Sequence, residues 1–158
     1  MQEAKTIVDA FKRNWPAIPD LQRRVIATHQ RRGYIVGIDG RHLHMEEFGE
    51  HKLLNKLIQG SAAGIMKRAM INVHRHIRAS PQIEGRMVSS IHDELIGDVP
   101  VSELAHFATH LPVLMREGFE HVHAVVPILV DIEVSTTTWA DKVDYDEWLA
   151  AAREEVAA

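Results

Sequence analysis

The chain has 158 residues, of which 46% are apolar, enough for a single domain spanning 1–158 with its own buried core. The absence of cysteine excludes a disulfide framework and a thiolate metal site. The formal net charge of −4 conceals a division: residues 1–80 carry 14 Lys and Arg against 7 Asp and Glu, whereas residues 81–158 carry 4 against 15. A basic half can follow phosphates while an acidic half holds a cation, although two oppositely charged solvated faces fit the pattern equally well. No apolar run approaches the roughly 20 residues of a membrane span and the N-terminus lacks a signal-peptide pattern, so a soluble cytoplasmic protein without membrane contact is expected.

In chain order, Ile7, Val8 and Phe11 give Ala4 to Phe11 a helical spacing, which Trp15-Pro-Ala-Ile-Pro19 interrupts. A second helix is expected from Asp20, as N-cap, to Gln30, with Gly33 ending it. Asp39-Gly40 between two β-forming runs, Tyr34 to Ile38 and Arg41 to Met45, predicts a hairpin. The longest helix is expected over 50–79, where Leu54, Ile58, Ala62, Ile65, Ala69 and Val73 recur at helical spacing. Gly60 and Gly64 fall one turn apart on it, a cost in helix stability that points to the close approach of another backbone, a ligand or a neighbouring element. Ser80-Pro81 stops this helix.

The run Met87-Val-Ser-Ser-Ile-His-Asp-Glu-Leu-Ile-Gly97 predicts a second hairpin with His92, Asp93 and Glu94 at its tip, since a buried ladder does not tolerate three polar residues together. Ser102 is expected to cap a helix reaching Gly118 and kinked or divided at Pro112. Residues 125–134 read as a strand whose apolar start suggests a covered sheet, and residues 144–156 as a charged amphipathic helix.

Adjacent carboxylates on a tight turn can hold a divalent cation, although polar turn residues are also what any hairpin contains. Asp93 suits the ligand role. Glu94 follows it directly, so in an extended segment it points elsewhere and reads as a supporting carboxylate. Asn55 and Gln59, four apart on the long helix, share a face, and carboxamides there suit the minor groove, where every base pair offers an acceptor. His42/His44, His74/His76 and His121/His123 form His-x-His pairs, but with no third ligand at a recognisable spacing they read as surface histidines rather than zinc sites.

Gly33 to Arg41, the stretch Asn55-Lys-Leu-Ile-Gln-Gly-Ser-Ala-Ala63, Ile91-His-Asp-Glu94, and residues 126–134 followed by Trp139 together resemble, in this order, the C-terminal palm of a family A DNA polymerase of the DNA polymerase I or phage type. Phe11 to Ile18 is similar to the helix that follows that family's fingers. The resemblance implies an α+β fold, a palm-type antiparallel sheet packed against long helices and forming part of a domain. It implies that Asp93 is a catalytic metal ligand with Glu94 beside it, that His92 touches the primer terminus, and that Asn55, Gln59 and Arg41 contact DNA. The implied cofactor is Mg²⁺ in a two-metal site, with only part of the ligands here. The implied partners are primer-template DNA, a dNTP held through fingers residues, and a second polypeptide carrying the family's motifs A and B, in a bacterial cytoplasm or a phage-infected cell. His51 stands where many members have arginine, which leaves a template contact there without support. On this reading the chain is a subunit or fragment of a DNA-directed DNA polymerase, inactive alone; the alternative is a non-catalytic DNA-binding or assembly module. Apolar faces on the first two helices and the sheet edge near Val88 are expected to drive self-association of the isolated chain.

Overall fold

The computed structural model describes residues 2–45, 49 and 52–157; the His51 expectation lies outside them. The chain forms two compact units, Met1–Gly64 and Ile65–Ala158.

In the first unit, helix α1 (Gln2–Asn14) leaves its large apolar residues exposed, Ile7 at 64% and Phe11 at 49%, and it ends where Trp15 stands edge-on to Phe11 at 6.1 Å. Helix α2 (Ala17–Arg32) begins three residues before the expected Asp20. Pro19 is no obstacle there, because first-turn amides have no intrahelical acceptor to lose. Asp20 therefore sits inside the first turn and pairs with Arg23 instead of capping. Gly33 closes α2 in the left-handed conformation, φ 77°, its N–H donating to the His29 carbonyl at 2.7 Å.

Strands β1 (Tyr34–Val36) and β2 (His42–His44) pair antiparallel, Ile35 opposite Leu43. Alternation turns Ile35 and Leu43 inward, where they pack with Val25 of α2 and Leu53 at the start of helix α3 (Leu53–Ala79). Beyond Val36 the turn is tightened by Gly37 N–H to the Arg41 carbonyl, 2.9 Å, and by Gly40 at φ 80°.

In the second unit, β3 (Arg86–Ile91) and β4 (Glu94–Asp98) pair antiparallel, with Val88 the extra residue of a bulge between the Met87–Gly97 and Ser89–Ile96 pairs. A 3₁₀ turn (Val101–Glu103) leads into α4 (Leu104–Arg116). Ser102 makes no side-chain cap, and the neighbouring Glu103 carboxylate instead accepts the amides of Glu84, 2.9 Å, and Gly85, 3.0 Å. Pro112 lies within α4 without dividing it. The buried Asn72 donates to the Leu114 and Glu117 carbonyls, 3.0 and 3.2 Å, satisfying acceptors that the end of α4 leaves unpaired.

A short helix α5 (Glu120–His123) follows, and then the structure departs from expectation. Of the strand expected over 125–134, only β5 (Glu133–Val134) forms a ladder, with β6 (Val143–Asp144). Apolar composition creates no strand without a neighbour to receive its hydrogen bonds, and among the described residues 125–132 join no ladder, the Ile132 carbonyl alone accepting from a strand-side neighbour, the Tyr145 N–H at 2.8 Å. Val125 and Leu129 are accordingly 82% and 79% exposed. Helix α6 (Tyr145–Ala157) follows β6. The fold is α+β, the described residues forming three two-stranded antiparallel ladders, one long helix and several shorter ones.

Candidate active site

Ile91 and Glu94 are the last pair of the β3–β4 ladder, so the tip consists of two residues, His92 and Asp93. The expectation of a three-residue tip is corrected: Glu94 belongs to the return strand. A two-residue connection needs a positive φ to match the strand twist. His92 supplies it at φ 53°, the one positive-φ residue other than glycine among those described. Histidine enters this region more readily than β-branched residues do, at a cost of roughly 1 kcal/mol. His92→Gly is therefore expected to be close to neutral in thermal stability, relief of that strain offsetting glycine's greater chain entropy, whereas His92→Val should lose roughly 1–2 kcal/mol. Equal melting temperatures for the two variants would count against a strained turn.

Asp93 is exposed, and no hydrogen bond or ion pair engages its carboxylate among the described residues. Glu94 is held differently. Its Oε1 lies 3.1 Å from Nζ of Lys142, which is also 2.6 Å from Glu133 Oε2 and 5.4 Å from the ring centre of Trp139. The hydrogen bond that Lys142 donates to Glu133, and then the one it donates to Glu94, raise it above its ordinary pKa of 10.5, so it remains a cation throughout the neutral range. The two neighbouring carboxylates thus have separate tasks: Glu94 ties β4 to the β5–β6 ladder, and Asp93 keeps both oxygens available. An open depression of about 330 Å³ is lined by Ile91, His92, Asp93, Glu94, Trp139 and Lys142. A hard cation that retains most of its waters needs only one or two carboxylates, and Asp93 fits that requirement.

The other candidate residues lie in the first unit. A Cβ on Gly60 would stand 2.6 Å from Leu43 Cδ1, and one on Gly64 would stand 2.6 Å from Asp39 Cγ. The close approach expected from the two glycines is that of the β1–β2 hairpin. Ile38 N–H donates to Ser61 Oγ, 3.1 Å, and Arg41 Nη2 to the Gly60 carbonyl, 3.2 Å, while Arg41 Nε pairs with Asp39. Burial pushes the Asp39 carboxyl upward, but the Arg41 hydrogen bonds and charge outweigh it and leave the group below its ordinary value of 3.8. At 3.6 residues per turn, Leu53, Leu57, Gly60 and Gly64 form the stripe under the hairpin, and Asn55 and Gln59 fall on the opposite side, exposed.

Sequence reasoning missed two features. One is the tie from Lys142 to Glu94 and Glu133, which no local spacing announces. The other is a cluster of His76, His106 and His110, which the His106-x-x-x-His110 spacing on one helix could have signalled.

The fold is similar to that of a polymerase domain. The fold resembles the polymerase domain of Pol1 from M. smegmatis, solved with DNA primer-template and dNTP, at a TM-score of 0.65 and 28% identity over 72% of this chain and 22% of that one. The family model for DNA polymerase family A matches residues 1–141, and the chain belongs to that family. Among its relatives are DNA polymerase I of Chloroflexus aurantiacus, 31% identical over 83% of this chain and 14% of the relative, and the DNA polymerase of Mycobacterium phage L5, 31% identical over 86% and 21%. DNA polymerase I of Bacillus caldotenax is 26% identical over 89% and 16%. The chain thus spans about a fifth or less of the length of the curated relatives it matches.

Proposed function

We propose that this segment serves a DNA-directed DNA polymerase in replication, Asp93 holding a catalytic Mg²⁺ and Asn55 and Gln59 reading the minor groove of the primer-template duplex. The observation that carries the reading is the division between neighbours on the β3–β4 hairpin, where Glu94 is committed to Lys142 and Asp93 has no partner among the described residues. When bound, a pair of divalent ions activates the attacking hydroxyl and steadies the leaving oxygens of nucleotidyl transfer. Asp93 contributes a carboxylate oxygen from a turn with no freedom to lengthen, Glu94 supports the strand behind it, and His92 presents an imidazole N–H to the primer end. Arg41, 42% exposed after its bonds to Asp39 and Gly60, offers its remaining N–H groups to DNA phosphates.

One carboxylate does not hold two cations, so further ligands and the dNTP contacts come from polymerase residues outside this segment, on the same or a second polypeptide. The much greater length of the relatives supports this, as do the uncovered apolar residues Ile7, Phe11, Val125 and Leu129, which such parts would cover. Primer extension tests the proposal: the chain alone should synthesise nothing, and the assembly containing it should depend on Asp93. Synthesis by the chain alone that required Asp93 would sink the shared-site part of the reading. Duplex binding without any Asp93-dependent synthesis would instead indicate a DNA-binding module. Asn55→Ala and Gln59→Ala are each expected to weaken duplex binding about fivefold, the value of one neutral hydrogen bond, and by the same factor on every template sequence. Fluorescence anisotropy on several duplexes checks this; a loss confined to one sequence would contradict minor-groove reading by acceptor position.

A further inference from the structure

We propose that His76 of α3 and His106 and His110 of α4 form a zinc site that ties these two helices together. The three imidazoles are half-buried, and one nitrogen from each lies within 4.8 Å of the others. His106 and His110 are four residues apart, which puts both rings on the face of α4 that meets His76. Nε2 of His76 and Nε2 of His106 point at one another across 2.8 Å. His110 Nδ1 is 2.7 Å from the His106 carbonyl, a bond in which Nδ1 carries the proton and Nε2 keeps its lone pair for a metal.

The rings are now stacked, His106 and His110 with centres 4.1 Å apart and planes at 25°. In a tetrahedral site with Zn–N near 2.1 Å, ligand nitrogens stand about 3.4 Å apart, between the 2.8 Å and 4.8 Å found here, so rotation of the rings about χ2 completes the site. The ion replaces the proton shared by His76 and His106, which moves to Nδ1 of the ring that held it. Three neutral imidazoles suit zinc and leave its fourth position to water. They do not suit magnesium, which takes oxygen ligands, so this site is chemically separate from Asp93. Its position is mechanical: Asn72, one turn before His76, already fastens α3 to the end of α4, and the ion adds a second fastening further along α4.

Calorimetric titration of the full chain with zinc at neutral pH tests this. One equivalent should bind at micromolar or tighter affinity and raise the melting temperature. Asp93→Asn should leave both results unchanged, while His76→Gln and His106→Gln should each weaken binding at least about tenfold. Cobalt substitution should give the intense visible bands of a four-coordinate ion, and the ring signals of these three histidines alone should shift in NMR spectra. No binding in the micromolar range overturns the proposal, as does binding that survives both substitutions. Where a variant fails to fold, unshifted ring signals of His76, His106 and His110 in the zinc-loaded parent overturn it.

Discussion

Asp93→Asn is expected to lower nucleotidyl transfer by the polymerase containing this segment at least about a thousandfold, with duplex affinity within about twofold of the parent. A thousandfold is about 4 kcal/mol of transition-state stabilisation, which matches the several kcal/mol that a correctly held cation contributes. The substitution is isosteric, and the carboxylate it removes is exposed with no partner among the described residues. Stability should therefore stay within about 0.5 kcal/mol, as for other surface changes that break no contact. Glu94→Gln supplies the contrast. It weakens a half-exposed ion pair to Lys142, worth at most about 1 kcal/mol, and should reduce synthesis far less. Single-turnover primer extension, with anisotropy for duplex affinity, separates the two. If Glu94→Gln were as damaging as Asp93→Asn, the division of labour between the carboxylates would be wrong.

The order of elements was legible in the sequence because most of their signals are local. Gly33 required a left-handed helix end, and Asp39-Gly40 a turn. His92-Asp93 also read as a turn, but its length was overestimated, because Glu94 is polar and polarity does not reveal that its backbone closes the ladder opposite Ile91. The partner of its side chain, Lys142, lies 48 positions away. Residues 125–132 show the reverse error: β-forming composition promised a strand, yet a ladder requires a neighbouring backbone, which composition does not encode. The histidine cluster was hidden similarly. His74-x-His76 drew attention as a pair, whereas the contacts run from His76 to residues 30 or more positions later.

The glycines of α3 give the largest expected effect on folding, and one whose sign depends on a second residue. In an isolated helix Gly64→Ala gains about 1 kcal/mol. Here the new methyl would meet the Asp39 carboxylate, 2.6 Å from Cγ, and Asp39 is held there by Arg41. Overpacking of this kind typically costs 1–3 kcal/mol, and losing the Asp39–Arg41 clamp adds to it, so the net change should be a loss of about 1–2 kcal/mol. Gly60→Ala should behave alike, since the obstacle is a methyl of the buried Leu43 at 2.6 Å. Asp39→Gly removes the obstruction to residue 64 completely, because no Cβ remains at position 39. In that background Gly64→Ala should become stabilising by up to about 1 kcal/mol, leaving helix propensity alone. A double-mutant cycle read by urea unfolding measures the reversal. Additivity of the two changes would mean that Gly64 is present for some reason other than the approach of Asp39. A coupling of about 2 kcal/mol would show that the glycine exists to let the hairpin rest on the helix, so that Asn55 and Gln59 face outward.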